Sequence, residues 1–322
     1  MRFRLPPPFM PVALAVALVA ASAAPAAGPG GFATHGGTSS QRVVRTGGTS
    51  LGVRVVDVDE PARAAQLQQW AGEAADAMLT AYGRFPLREA EVRIQQVDRG
   101  DDSPVPWGQT LRRADVAVLL YVRRDATLAE LRADWTAVHE LAHLFHPYLG
   151  GDGRWLSEGL ASYYQNVLRA RAGMLDERDA WERLDAGFGR GRREDSGAAL
   201  EELSRRHRGT MRVYWAGAAY WLEADLALRA RGDSLDRVLD AYARCCLNGG
   251  GEAEPVAFVA ELDRIAGGDV FSSRWRTYAA SRGFPSLKEA YATLGLSGDD
   301  NGGLRLSRGA ARLKMRSAIM GR

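Results

Sequence analysis

Three of the five histidines of this 322-residue chain lie within eight residues, in the sequence HELAHLFH that begins at His139. If this segment is helical, His139 and His143 are about one turn apart, so their imidazoles project from one face and can bind one divalent ion. Glu140 is rotated about 100° around the axis. It therefore lies beside such an ion, where a base for an attacking water belongs. Composition alone produces this pattern on the order of 0.005 times in such a chain, so the spacing predicts a metal site with its own general base.

A catalytic zinc site needs a third protein ligand and one open position. His146 fits poorly because it lies roughly 10 Å along the helix axis from His139, and Pro147 disfavours helical geometry there. Glu158 fits better, since a short return loop would let the next helix pack antiparallel and present this carboxylate. The alternative for Glu158 is an exposed acid favoured by the helix dipole. The sequence thus predicts one zinc ion per chain, held by His139, His143 and Glu158.

Two sequence blocks resemble the gluzincin metallopeptidases, most closely the glycyl aminopeptidase family and more distantly the aminopeptidase N family. The first is His139-Glu-x-x-His143 followed by Trp-x-x-Glu158-Gly, and the second contains Tyr214 in a Tyr-x-x-Gly motif that ends at Gly217. The resemblance implies that the Tyr214 hydroxyl donates a hydrogen bond to the oxyanion, although a core aromatic is the alternative. The Gly-x-Met-x-Asn motif of aminopeptidase N relatives is absent, so endopeptidase and aminopeptidase action both stay open.

The resemblance implies a zinc metallopeptidase that hydrolyses a peptide or protein substrate. Zinc would lower the pKa of its water towards about 7, and Glu140 would take the proton as the water attacks the peptide carbonyl. The competing hypothesis is a non-catalytic envelope binding protein on a gluzincin scaffold. Such a protein would not need Glu140.

The elements before the motif predict a small α/β subdomain over residues 51–126. Apolar patterns indicate three strands, over 51–58, 91–97 and 115–122, and one amphipathic helix over 61–82. Between them, the segment 103–110 contains two prolines, which limit it to a loop or an edge strand. We expect it to bind the substrate backbone by strand addition, with Trp107 near the cleft.

The residues from 127 to 295 predict a helical zinc-peptidase subdomain. Thr127 and Glu130 form a capping box for a helix that continues through the histidine motif to Pro147. Another helix covers about residues 155–172, and only helices follow. The predicted fold class is α+β: a thermolysin-like metallopeptidase unit in which a small mixed α/β subdomain is followed by, and faces, a mainly helical one.

The N-terminus predicts a cleaved signal peptide over residues 1–27. Arg2 and Arg4 precede an apolar run, and small residues follow it, as in secretory signals. An uncleaved membrane anchor is the alternative. The Gly- and Ser-rich segment 28–50 predicts a flexible leader. We expect an exported protein of the bacterial envelope, periplasmic or secreted, with no stable membrane span after the signal is removed.

The formal net charge of +3 does not indicate a nucleic-acid partner. The segment 296–322 is rich in basic residues, and we expect a mobile solvated tail, with contact to acidic lipid or a partner as the alternative. The two cysteines, Cys245 and Cys246, are adjacent in a predicted helix. That placement favours small buried apolar residues over a vicinal disulfide. The sequence leaves the oligomeric state open.

Overall fold

The computed structural model describes residues 40–98, 102–112, 116–194, 196–298 and 303–321. The predicted signal peptide and residues 28–39 of the predicted leader lie outside the described residues. The strands are β1 Ser40–Thr46, β2 Thr49–Val56, β3 Glu89–Val97, β4 Trp107–Arg112, β5 Val116–Arg123, β6 Leu296–Gly298 and β7 Leu304–Leu306. The helices are α1 Pro61–Tyr82, α2 Leu128–Ala133, α3 Thr136–Ala142, α4 Arg154–Arg171, α5 Glu177–Arg193, α6 Leu200–Arg205, α7 Thr210–Ala230, α8 Leu235–Cys245, α9 Pro255–Ala266, α10 Val270–Ala279, α11 Lys288–Leu294 and α12 Ala310–Met320.

The first part of the described chain is a five-stranded sheet in the order β1-β2-β3-β5-β4. Strands β2, β3 and β5 run parallel, and β1 and β4 are antiparallel at the two edges. Leu51, Val53 and Val55 of β2 are buried on one face, against which α1 packs. The predicted helix over Pro61–Tyr82 has those bounds. The mixed α+β class is confirmed.

The predicted edge strand is also found, because β4 lies at one edge of the sheet. A Cβ atom on Gly108 would lie 2.7 Å from the Glu140 side chain, so this glycine allows β4 to pack closely against α3. Trp107 is 48% exposed. The sequence predicts Trp107 near the cleft. Since side chains alternate along a strand and Gly108 faces Glu140, the Trp107 ring lies on the opposite face of the sheet.

The predicted flexible leader is wrong from Ser40 onwards, because β1 pairs with β2 along its whole length. Gly47 and Gly48 connect the two strands, with φ angles of 53° and 75°. A two-residue hairpin turn needs positive φ at both positions, and glycine adopts it without steric cost. The glycine-rich composition therefore belongs to a tight turn, and strand β2 is the partner with which β1 pairs.

The continuous helix predicted from Thr127 to Pro147 is divided in the structure. The capping box of Thr127 and Glu130 is present at the start of α2. Asp134 is then extended, with ψ at 151°, and its carboxylate accepts a hydrogen bond of 2.7 Å from the Thr136 amide. This contact turns the chain at Asp134. Helix α3 then begins at Thr136, with no side-chain hydrogen bond at its N-cap, so the histidine motif lies on its own short helix.

Helices α4 and α7 cross at a pair of glycines. A Cβ atom on Gly217 would lie 2.0 Å from the Trp155 carbonyl oxygen, and one on Gly159 would lie 2.3 Å from the Gly217 carbonyl carbon. Any larger residue would therefore meet backbone, which cannot rotate away. The two backbones are in direct contact at this point.

The C-terminal segment is folded, so the expectation of a mobile tail is wrong for the described residues. Strands β6 and β7 pair, and α12 packs against α4 and α11. Arg316 is 3% exposed and donates to Glu177 and to the carbonyls of Leu294 and Ser307. A basic residue can be buried in this way because backbone oxygens and a carboxylate satisfy its donors.

The expectation for the cysteines is also wrong, since Cys245 and Cys246 form a disulfide and Cys245 is exposed. Helix α8 ends at Cys245, and Cys246 has a φ of −136° outside it. The pair is therefore not constrained by continuous helical geometry. None of the helices in the described part of the chain has the length and apolar character needed to cross a bilayer.

We predict that Gly217→Ala lowers the free energy of unfolding by about 1 to 3 kcal/mol, because the added methyl group overpacks the α4–α7 contact. Gly189→Ala is the matched control: it is also inside a helix, and its Cβ would meet only the flexible end of Arg193, at 3.4 Å. That control should be neutral or stabilising. Urea unfolding followed by circular dichroism measures both, and equal stability of the two variants would contradict the close contact.

Candidate metal centre

His139, His143 and Glu158 come together at one point between α3 and α4. Their ligand atoms all lie within 4.8 Å of one another. Glu158 Oε2 is 3.3 Å from His139 Nε2 and 3.6 Å from His143 Nε2. Donors about 2.0 to 2.1 Å from a tetrahedral zinc ion are about 3.4 Å apart. The donor set and its spacing therefore fit one zinc ion.

A glutamine orients the first histidine. His139 is 2% exposed, and its Nδ1 lies 2.8 Å from Gln165 Oε1. An amide oxygen only accepts hydrogen bonds, so Nδ1 carries the proton and the Nε2 lone pair points towards Glu158. Gln165 is on α4, about two turns after Glu158. The same helix thus supplies one ligand and the partner of another.

His146 orients the second histidine, and it is not among the three residues whose ligand atoms converge. Its Nδ1 lies 2.7 Å from the Pro147 carbonyl oxygen, so that nitrogen carries a proton. Burial lowers the pKa of His146 well below its usual range, so the ring is neutral and its Nε2 accepts. His143 Nδ1, 3.1 Å from that nitrogen, must then donate. The lone pair of His143 Nε2 is left free on the side of Glu158.

Glu140 is held beside the three ligand residues by β4. The Thr110 hydroxyl donates to the Glu140 carboxylate at 3.0 Å and lies 2.7 Å from its backbone carbonyl. Gly108 leaves room for the Glu140 side chain. Burial, partly opposed by the His139 charge, raises the pKa of Glu140 to about 7. The edge strand therefore fixes the position of the predicted base.

The Glu158 carboxylate is ionised. Burial alone would raise its pKa, but the hydrogen bond that His139 Nε2 donates when that imidazole is protonated, together with the positive charges of the two histidines and Arg154, lowers it to about 2. When both imidazoles are neutral, their Nε2 atoms and this carboxylate form a donor set that a divalent cation binds.

Tyr214 completes the group of predicted residues. Its ring is stacked on His139, with centroids 5.8 Å apart and planes 6° from parallel. Burial, with the charge of Glu158, raises the pKa of Tyr214 well above its usual range, so the hydroxyl keeps its proton and can donate. Tyr214 lies about one turn before Gly217, and Glu158 directly precedes Gly159. The glycine crossing therefore brings this tyrosine beside the candidate ligands.

The structure thus brings together all five residues that the sequence singled out. Sequence reasoning missed Gln165, Thr110 and Arg154, and it gave His146 no role once the ligand role was excluded. Only the period of α4 could have indicated Gln165 and Arg154, which lie on the helical face of Glu158. No local signal connects Thr110 with Glu140, because that contact depends on how β4 packs on α3.

The fold is similar to those of M1 zinc metallopeptidases. An aminopeptidase N family protein from Idiomarina loihiensis superposes with a TM-score of 0.60 and 16% sequence identity, over 84% of this chain and 53% of that chain. An M1 zinc metallopeptidase from Deinococcus radiodurans gives a TM-score of 0.50 and 16% identity, over 78% and 53%. Yeast LTA4 hydrolase in complex with bestatin gives 0.51 and 13%, over 76% and 40%.

These similarities establish the fold, and at such identities they establish no activity. The chain spans about half the length of the first two of these structures. No protein-family model matches the sequence, and no curated protein matches it. The thermolysin-like assignment and the subdomain limits stay predictions.

We predict that Gln165→Leu weakens zinc binding by about 10- to 100-fold, because the His139 ring loses the acceptor that fixes its proton and orientation. Gln165→Glu is the control, since it keeps an oxygen acceptor in the same place. Competition with a fluorescent zinc chelator measures both affinities. An unchanged affinity of the leucine variant would mean that Gln165 does not orient this ring.

Proposed function

We propose that this chain is an exported zinc-dependent peptidase that hydrolyses peptide bonds with Glu140 as general base. The observation that carries the proposal is the position of Glu140, which Thr110 holds beside the convergent donors of His139, His143 and Glu158. The similarity in fold to zinc metallopeptidases supports it. Export is inferred from the signal-like N-terminus.

His139, His143 and Glu158 would hold the ion, which when bound acts as a Lewis acid and lowers the pKa of water at its open position. Glu140 takes the proton from the attacking water and passes it to the leaving amine. The Tyr214 hydroxyl donates to the oxygen of the substrate carbonyl as negative charge develops there. Thr110 keeps the Glu140 carboxylate in place throughout.

The substrate is a peptide in extended conformation. Strand β4 has β5 on one side, and its other edge carries no strand within the described residues. An extended peptide can pair with that edge through main-chain hydrogen bonds. Because Gly108 and Thr110 of the same strand contact Glu140, such a peptide passes next to the base. A related M1 zinc metallopeptidase is described in complex with a Tyr-Ser-Ala substrate.

The proposal is tested with the purified protein, a mixed peptide library and mass spectrometry of the products. We expect cleavage by the zinc-loaded protein and none after chelation. Glu140→Gln keeps the side-chain shape but cannot accept the proton, so it should bind zinc normally and lose at least about 10²-fold in kcat. The cleavage positions distinguish endopeptidase from aminopeptidase action. Zinc binding without cleavage of any peptide would favour the non-catalytic binding protein.

We predict that Tyr214→Phe lowers kcat by about 10²- to 10³-fold, or roughly 3 to 4 kcal/mol, because one oxyanion donor is lost. The phenylalanine ring still stacks on His139, so zinc content and melting temperature should stay close to the parent values. Tyr220→Phe is the matched control on the same helix, since its hydroxyl donates to the Phe271 carbonyl away from the ligands. If Tyr214→Phe keeps the parental kcat, the Tyr214 hydroxyl takes no part in the reaction and the ring serves only in packing.

A further inference from the structure

One cation of the candidate centre takes no part in the chemistry described above. Arg154 is the first residue of α4, about one turn before Glu158. Its Cζ lies 5.6 Å from the centroid of the Tyr214 ring, within the range of a cation–π contact. Its charge acts on both Glu158 and Tyr214. The guanidinium is therefore placed among groups that would contact the ion and the substrate.

One hydrogen-bond donor of the Arg154 guanidinium, Nη1, is buried and has no hydrogen-bond partner within the described residues. The acid nearest in sequence before it, Asp152, is engaged by Arg205 at 2.6 Å. Arg112 and Arg169 also have a buried nitrogen without a partner in the part of the chain that the structure describes, but each donates through another nitrogen to a backbone carbonyl. A buried donor without a partner costs free energy, so Arg154 is suited to a partner that arrives from outside the chain.

A carboxylate is the partner that fits. A guanidinium presents its N–H donors in a planar fork and binds a carboxylate through two parallel hydrogen bonds. The Tyr214 ring, 5.6 Å from Arg154 Cζ, lies against the guanidinium but offers its N–H groups no oxygen or nitrogen acceptor. Partial burial strengthens such a charged hydrogen bond relative to one in water.

We propose that Arg154 is a specificity-determining residue that binds a carboxylate of the substrate. The inference rests on the proposed peptidase function and names the substrate class of the same site: peptides with a negative charge close to the bond that is cut. The carboxylate can belong to an Asp or Glu side chain or to the free C-terminus of a short peptide. Both sources present the same group to the guanidinium, and the experiment separates them.

The test measures binding without turnover, in the zinc-loaded Glu140→Gln protein. The probes are alanine hexapeptides with a single Glu or Gln at each position in turn, each prepared with an amidated and with a free C-terminus. Calorimetry gives the Kd values. Arg154→Met in the same background removes the charge and keeps much of the length, Arg154→Lys keeps the charge without the fork, and Arg206→Met is the control at an exposed arginine paired with Glu202.

We expect at least one acidic peptide to bind at least about tenfold more tightly than its neutral counterpart, and Arg154→Met to abolish that preference. Arg154→Lys should retain part of it, and Arg206→Met all of it. A preference for Glu in the amidated series identifies a side-chain carboxylate, and a preference for the free acid identifies the C-terminus. No preference in the parent, or an equal loss for charged and neutral peptides in Arg154→Met, overturns the proposal.

Failure of the proposed function gives a different result. If the protein binds acidic peptides through Arg154 but the form with Glu140 intact cuts none of them, the recognition stands and the hydrolytic activity is wrong. If it cuts peptides with no dependence on charge, the activity stands and the role of Arg154 is wrong.

Discussion

The contact between α4 and α7 at Gly159 and Gly217 fixes the geometry of the whole candidate centre. Two helices that touch through their backbones have a set separation, which no side-chain rearrangement can alter. Glu158 directly precedes one glycine, and Tyr214 lies about one turn before the other. The spacing between Glu158, a candidate metal ligand, and Tyr214, the proposed oxyanion donor, is therefore set by the helix crossing. The glycines of the Glu-Gly and Tyr-x-x-Gly sequences are structural requirements of that crossing.

The sequence predicted the parts of the site that depend on helical period and failed where tertiary contacts decide. His139 and His143 converge because residues four apart share a face of a helix, and that relation needs no knowledge of the fold. Gln165 and Thr110 could not be assigned, because their contacts with the histidine motif depend on how α4 and β4 pack. The break at Asp134 was missed because the apolar pattern continues across a residue whose backbone is extended.

At both ends of the described chain, composition suggested flexible segments where the structure has folded ones. Glycine-rich sequence before β2 indicated flexibility, but two of those glycines form a tight turn. Basic residues after 303 indicated a solvated tail, yet Arg316 is buried by donating to backbone carbonyls. Arg212 is likewise fully buried and donates to the carbonyls of Ala198, Ser281 and Gly283. In this chain arginine often connects loops and helices from inside the fold, which charge counting cannot reveal.

Neither of the two histidines that face Glu158 donates its Nδ1 hydrogen bond to an anion. His139 donates to the amide oxygen of Gln165, and His143 donates to the neutral imidazole of His146. A carboxylate in either place would make the imidazole more basic and donate electron density through the ring. With neutral partners, an ion held by these histidines would stay more electron-poor, so it would polarise a carbonyl more strongly and be held less firmly. This arrangement would favour electrophilic strength over tight retention of a metal ion.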